Sequence, residues 1–316
     1  MLPLLRLLQD GQFHSGEELG AELGVSRAAV WKQLQGIQAE FDLSIHKVRG
    51  RGYRLENPLS LLSIEGMGGH WPVTLLQRVD STNAEATRLL AGGAEPPFLV
   101  VAEQQTAGRG RRGRQWASPF GENLYYSLVL RISGGMRQIE GLSLVVGLAL
   151  LASLRELGVA DAGLKWPNDV LVGRQKIAGI LLELSGDPAD VCHVIIGIGV
   201  NLNMRSVAQG DIDQPWTSVR QVLGRQIDRD EFVRALNGNL EVYLERHLRE
   251  GFPALREEWE RAHLWQGQAV SLVSGTSSVA GRVLGIDDTG ALRLDVGGQQ
   301  RCFSGGELSL RLRDDS

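Results

Sequence analysis

The chain has 316 residues, a net charge of −4 and 43% hydrophobic residues. That is long enough for two or three domains and apolar enough for real cores, which excludes a disordered chain. The mild acidity excludes a protein that coats nucleic acid over its whole surface, and leaves room for one small basic face.

Residues 1–58 are expected to form a small unit. Leu4, Leu5, Leu7 and Leu8 make a helical stripe that Asp10-Gly11 breaks. Ser15, with Glu18 three residues on, forms a capping box for a helix that runs to about Leu23 and stops at Gly24. Ser26 caps the next helix, which carries Arg27, Val30, Trp31, Lys32 and Leu34. Two helices joined by a short glycine-containing turn form a helix-turn-helix. The β-prone runs 43–48 and 53–55, joined by Arg49-Gly50-Arg51-Gly52, read as a hairpin "wing". From Val25 to Leu55 the basic residues Arg27, Lys32, Lys47, Arg49, Arg51 and Arg54 face only Glu40 and Asp42. The basic side is therefore the second helix plus the wing, the parts that would meet a duplex.

Asn57-Pro58 marks a boundary. Residues 66–265 are expected to form a central domain. It has β-like runs at 98–102, 124–131, 170–172, 177–184 and 191–198, and helix-like runs at 81–90, 139–157 and 231–250. Strands outnumber helices and several follow one another directly, which predicts α+β rather than a doubly wound sheet. Residues 266–316 carry short alternating runs at 270–273, 279–286, 291–296 and 300–303, separated by turns, and are expected to form a small SH3-like β-barrel.

Candidate chemistry gathers in the central region. Gly108-Arg109-Gly110-Arg111-Arg112-Gly113-Arg114-Gln115-Trp116 matches GxGxxG formally, but arginines fill the spacers and Ala117-Ser118-Pro119-Phe120-Gly121 is no helix, so a Rossmann loop is rejected. A loop that grips phosphate or carboxylate with guanidinium forks fits better, with a solvated arginine run or a second nucleic-acid patch as the competing readings. Lys165-Trp166-Pro167-Asn168-Asp169 presents a cation, an amide and a carboxylate from a stiff turn. A carboxylate beside a phosphate site needs magnesium or a cation partner, so Asp169 is a candidate Mg²⁺ ligand. Lys176 opens an apolar run and either snorkels to solvent or points into a pocket. Gly197-Ile198-Gly199-Val200-Asn201 suits close backbone approach to a flat ligand. Asp80-Ser81-Thr82-Asn83 starts a helix, at the least as a cap.

Two distant cysteines, Cys192 and Cys302, form no CxxC pair, and six scattered histidines lack metal-ligand spacing. Residues 1–12 lack a signal-peptide pattern, and no apolar run is long enough to cross a bilayer. A soluble, cytoplasmic protein without membrane association is expected.

Taken in order, FHSGEELG…LGVSRAAVWK, DSTN, GRGRRGRQW, KWPND, KIAGILLE, GIGVNLN and FSGGELSLR cover nearly the whole chain. Together they closely resemble the biotin–protein ligases, specifically the bifunctional bacterial type that is also the biotin operon repressor. Lipoate ligases share that fold but lack the GRGRRGR and KWPND pair. The resemblance implies that ATP activates biotin to biotinyl-5′-AMP, and that biotin then passes to a lysine of the biotin carboxyl carrier protein. By similarity, Lys176, Arg109 and Arg111 serve catalysis. Ser81, Thr82, Asn83 and Gln105, with Gly110, Gly179, Gly197 and Gly199, surround biotin. Trp116, Lys165, Asn168, Asp169 and Asn201 lie on the nucleotide side, with Mg²⁺ accompanying ATP. The resemblance also implies an adenylate-bound homodimer on a palindromic operator. Ser26, Arg27, Trp31 and Lys32 are candidate helix contacts, and Lys47, Arg49 and Arg51 candidate wing contacts, with Trp31 as a core residue the competing reading. The alternative function is a monofunctional ligase whose N-terminal domain no longer represses.

Overall fold

A computed structural model describes residues 2–132, 138–186, 192–206, 212–275, 277–305 and 308–313. Val191, expected to begin a strand, and Gly306-Glu307 of the C-terminal motif lie outside the described residues, as do the outermost residues of the two terminal domains.

The N-terminal unit has three helices, α1 (Leu2–Leu8), α2 (Gly16–Leu23) and α3 (Arg27–Phe41), and a hairpin of β1 (Ile45–Val48) and β2 (Gly52–Leu55). Its local grammar is the one expected. The Ser15 hydroxyl accepts from the Glu18 amide while the Glu18 carboxylate accepts from the Ser15 amide, which satisfies two orphan donors at once. Gly24 takes the left-handed conformation that ends α2. Leu4, Leu5, Leu8, Leu19, Val30, Leu34 and Ile37 are buried together, which is the helical stripe closing on itself.

The same apolar cluster extends beyond the unit. Leu59, Leu61 and Phe120 belong to it, and Phe41 at the end of α3 packs on Phe120 with ring centroids 4.2 Å apart. The N-terminal unit is thus seated on the central domain directly after the arginine-rich segment. A buried ion pair secures the connection. Arg229 Nη1 donates to the Glu103 carboxylate and to Ser60 O, and Leu62 N donates to Glu103 Oε1 at 2.7 Å. Arg229 and Glu103 are 0% and 2% exposed, so removing one partner strands a charge in apolar surroundings. Glu103→Ala is expected to destabilise the protein by about 3–5 kcal/mol, read from denaturant unfolding. A loss below 1 kcal/mol would show that water reaches Arg229.

The central domain is built on a seven-stranded sheet in the order β3-β4-β5-β9-β8-β7-β6. Its strands are β3 (Val73–Leu76), β4 (Phe98–Ala102), β5 (Leu124–Ile132), β6 (Ala162–Lys165), β7 (Asp169–Val172), β8 (Gln175–Gly186) and β9 (Cys192–Val200). Only β3 and β4 pair in parallel; the others are antiparallel, as an α+β fold requires. One face is covered by the apolar helix α5 (Leu142–Glu156), the short α6 (Val219–Leu223), the long α7 (Arg229–Glu250) and α8 (Pro253–Ala262). On the other, α4 (Thr82–Ala91) covers one end with Ala86 against Phe98, Val100 and Ile195. That leaves the middle of β5, β9 and β8 open, and the site lies there.

The C-terminal strands β10 (Ala269–Ser274), β11 (Ser277–Ile286), β12 (Leu292–Val296), β13 (Gln299–Phe303) and β14 (Ser309–Leu312) pair in the order β13-β12-β11-β10-β14. Among the described residues β14 does not return to β13. The module is therefore an open antiparallel sheet, where a closed barrel was expected. It docks on the central domain through Trp166, which is 1% exposed and donates its indole N–H to Gly290 O at 3.1 Å. No helix among the described residues is long and apolar enough to cross a membrane.

Candidate active site

A cavity of about 460 Å³ opens over the exposed middle of the central sheet. The sheet forms its floor, the start of α4 one wall, and the 109–117 segment the roof. The Lys165–Asp169 turn, residues 212–216 and strand β14 close the far end. Every candidate for the acid or the nucleotide, from Ser81 to Asn201, lines this one cavity. The tertiary fold thus gathers segments more than a hundred residues apart in sequence.

The floor is made of glycines because side chains from elsewhere need the space. A Cβ at Gly199 would lie 2.5 Å from the Trp116 indole, and one at Gly197 would lie 2.4 Å from Asn83 Oδ1. The two glycines therefore seat Asn83 and Trp116. The sequence pattern suggested direct approach to a ligand, but here protein side chains fill the room. Gly199→Ala is expected to unseat Trp116 and cost about 1–3 kcal/mol of stability by overpacking. Unchanged unfolding, with the indole in place in a crystal structure of the variant, would refute this.

Beyond this floor the cavity is cationic. Lys176 Nζ lies 2.7 Å from Asp169 Oδ1 and 5.4 Å from the centre of the Trp116 ring. Lys165 Nζ lies 3.4 Å from Asp169 Oδ2 and 5.0 Å from the Trp265 ring. Burial pushes the Asp169 carboxyl up, but the charges of Lys176 and Lys165 outweigh it and hold the carboxyl below its ordinary value. Burial pushes Lys165 down, partly offset by Asp169. One carboxylate thus serves two ammoniums in a desolvated corner.

This bears on magnesium. Among the described residues no group of three His, Cys, Asp or Glu side chains could hold a metal ion. Asp169, the candidate ligand, is already bridged by two cations that would repel a third, so the residues present do not fit a protein-held Mg²⁺ site.

The roof is pinned at two places. Arg111 Nη1 donates to Asn168 Oδ1 at 2.8 Å, and its Nη2 donates to Gly305 O and Leu308 O of the C-terminal module. Asn168 in turn donates to Ile180 O at 2.7 Å, so Arg111 rests on an amide that the sheet orients. Arg109 Nη2 donates to Glu183 Oε2 at 3.0 Å. Asn201, by contrast, spends its amide on Thr217 O at 3.0 Å, tying down the segment after residues 212–216. Ser81 precedes α4 without a side-chain capping bond.

Several cavity residues escaped the sequence reading, including Trp216, Trp265, Arg174 and Arg311. No local motif marks them. Trp216 arrives because residues 215–217 pair alongside Lys176, whose amide donates to Pro215 O at 2.9 Å. Glu183 and Ser127 were also missed, since each looks like an ordinary strand residue.

The candidate DNA contacts lie apart from the cavity, on the N-terminal unit. Ser26, Arg27, Trp31, Lys32, Lys47, Arg49 and Arg51 are all exposed. At 46% exposure Trp31 is no core residue. Ser26 caps α3 by accepting from Ala29 N, and the Arg51 guanidinium covers Phe13 at 4.3 Å.

Residues 75–201 match the model of the biotin/lipoate A/B protein ligase family, residues 2–54 an HTH domain, and residues 267–311 the biotin protein ligase C-terminal domain. The chain is 38% identical to the bifunctional ligase/repressor BirA of Escherichia coli, over 98% of this chain and 97% of that protein. It is 40% identical to the biotin–[acetyl-CoA-carboxylase] ligase of Paracoccus denitrificans, over 70% of this chain and 92% of that one. A biotin protein ligase from Aquifex aeolicus, solved with biotin and ATP, superposes with a TM-score of 0.67 at 30% identity, covering 77% of this chain and 99% of that chain. Matched over nearly its whole length at 38% identity, and carrying HTH, ligase and ligase C-terminal domains in that order, the chain belongs to the BirA family of bifunctional ligase/repressors.

Proposed function

We infer that this protein activates biotin with ATP and transfers it to a lysine of the biotin carboxyl carrier protein. The observation that carries the reading is one cavity in which a glycine floor and an aromatic wall meet Lys176, Lys165 and Arg111. In the first step a biotin carboxylate oxygen bonds to the α-phosphorus of ATP, and the bond from that phosphorus to the pyrophosphate oxygen breaks. In the second, the carrier lysine's amine attacks the acyl carbon, loses a proton, and AMP leaves. Two anions must meet in the first step, and cations held in fixed positions offset the charge that builds up. Lys176 serves at the carboxylate and α-phosphate, with Arg111 above. Thr82, Asn83 and Gln105 serve the uncharged ring of biotin, because that end of the cavity has amide and hydroxyl groups. Trp116 and Lys165 serve the nucleotide. The roof segment excludes water, which would hydrolyse the mixed anhydride.

The three units 1–58, 66–265 and 266–316 divide the work, with the C-terminal sheet as an SH3-like wall of the nucleotide end. The N-terminal unit is read as an operator-binding domain acting in the cytoplasm, paired in an adenylate-bound homodimer that sets the spacing of two recognition helices. Its exposed Trp31 and cationic wing support this over a monofunctional ligase.

Purified protein incubated with ATP, biotin and a carrier domain is expected to raise the carrier's mass by one biotinyl group. An unmodified carrier would end the reading. An adenylate-dependent mobility shift of operator DNA separates the repressor from the monofunctional alternative.

A further inference from the structure

Glu183 has no part in the reaction just described, yet two elements of the site meet on one of its oxygens. Oε2 accepts from Arg109 Nη2 at 3.0 Å and from Asn83 Nδ2 at 2.8 Å. Arg109 belongs to the roof and Asn83 to the wall of the cavity.

From Asn83 a chain of polar contacts runs along the cavity wall. Asn83 Oδ1 lies 2.6 Å from Ser127 Oγ, which lies 2.8 Å from Thr82 Oγ1. Thr82 N donates to Gln105 Oε1 at 2.9 Å, Gln105 Nε2 to Ser118 Oγ at 3.0 Å, and Ser118 Oγ to Trp116 O at 2.8 Å. The chain leaves the roof at Arg109 and returns to it at Trp116, having touched Asn83, Thr82 and Gln105 on the way.

The direction of the protons follows from its end. A carboxylate only accepts, so Asn83 must turn its amide nitrogen to Glu183 and its oxygen to Ser127. Ser127 has one proton and gives it to that oxygen. It can then only accept from Thr82, whose hydroxyl gives its one proton across this 2.8 Å contact rather than to Gln105 Oε1 at 3.2 Å. Thr82 Oγ1 is left presenting lone pairs to the cavity. A ring with N–H donors is the ligand that such an acceptor suits.

We propose that Glu183 is a positioning residue that fixes the orientation of Asn83, and through Ser127 the proton order at Thr82, while anchoring the roof through Arg109. The proposal rests on the ligase reading above. Simple ion pairing is the smaller part of it, because Arg109 and Glu183 are 45% and 32% exposed and pairs so exposed contribute little. The larger part is the orientation of buried polar groups, which are costly when left mismatched.

The test is a double-mutant cycle of Glu183→Ala and Ser127→Ala in the full chain, read by pyrophosphate release and by escape of biotinyl-AMP into filtrate. Glu183→Ala is expected to raise KM for biotin roughly tenfold, the scale of one hydrogen bond to a charged group, with KM for ATP within about twofold. It should also speed adenylate escape, because Arg109 is released. Ser127→Ala should raise KM for biotin similarly without faster escape. The double variant should be no worse for biotin than the worse single one, since both cut one relay. Additive effects on KM, or equal rises in KM for biotin and ATP, would overturn the proposal. If Glu183→Ala does not fold, Glu183→Met, of similar length but without an oxygen to accept from Asn83 and Arg109, replaces it in the same cycle with the same criterion. Should the wild-type protein form no biotinyl-AMP, the ligase reading fails; a normal wild type with an additive cycle sinks only the role of Glu183.

Discussion

Lys176→Ala is expected to slow adenylate formation by roughly 10²–10³-fold, the scale on which one prearranged charge partner of a transition state acts. Lys176 stands at the start of β8, where pairing with residues 215–217 fixes its backbone, and its ammonium is held 2.7 Å from Asp169. Such a group needs no reorganisation when two anions arrive, which is the source of its leverage. The fold should survive, because Asp169 keeps Lys165 as a partner and is not left as an isolated buried charge. Lys176→Arg should restore the charge but only part of the rate, since a planar fork does not replace a compact ammonium. Pyrophosphate release measures both, with circular dichroism as the control for folding. Adenylation by the alanine variant within a few-fold of wild type would remove Lys176 from the chemistry.

The second large effect is expected at Arg111. Its guanidinium joins three segments remote in sequence: the roof itself, Asn168 of the stiff turn, and the carbonyls of Gly305 and Leu308 in the C-terminal module. Arg111→Gly deletes all of these and adds backbone freedom at the same position, so the roof should open more often. Loss of charged hydrogen bonds of this kind corresponds to roughly a ten- to hundredfold faster escape of biotinyl-AMP. The intermediate should accumulate in filtrate and the carrier should be biotinylated less efficiently per ATP consumed. Retention as tight as wild type would mean that the roof is held elsewhere, with the Arg109–Glu183 contact the first candidate.

These expectations draw unequally on sequence and structure. Arg111 and Lys176 could be singled out because each stands in a dense local pattern: guanidiniums between glycines, and one lysine before an apolar run. The same density makes Lys165-Trp166-Pro167-Asn168-Asp169 visible, although two ammoniums, not a magnesium ion, occupy the Asp169 carboxylate. Glu183 and Ser127 offered nothing comparable. Their importance lies in partners such as Arg109, 74 positions from Glu183, and Asn83, 44 positions from Ser127, and no periodicity reports such contacts. The short strands β3 and β6 escaped for a related reason. They are four-residue segments whose pairing is supplied by the sheet around them, where tertiary context outweighs propensity.

Features that depend on neighbours along the chain could be read from residue order alone. The Ser15–Glu18 capping box, the turn at Gly24, the hairpin wing and the α+β order of elements all follow from bonds and sterics within a few residues. The packed fold was needed to settle which charges meet, which way Asn83 must face, and that Gly197 and Gly199 make room for Asn83 and Trp116. It also decided that the C-terminal strands form an open sheet whose carbonyls hold Arg111. Range separates the two. Capping and turn preferences act within a few residues, whereas charge pairing, desolvation and packing depend on distances through space, which exist only once the chain has closed on itself.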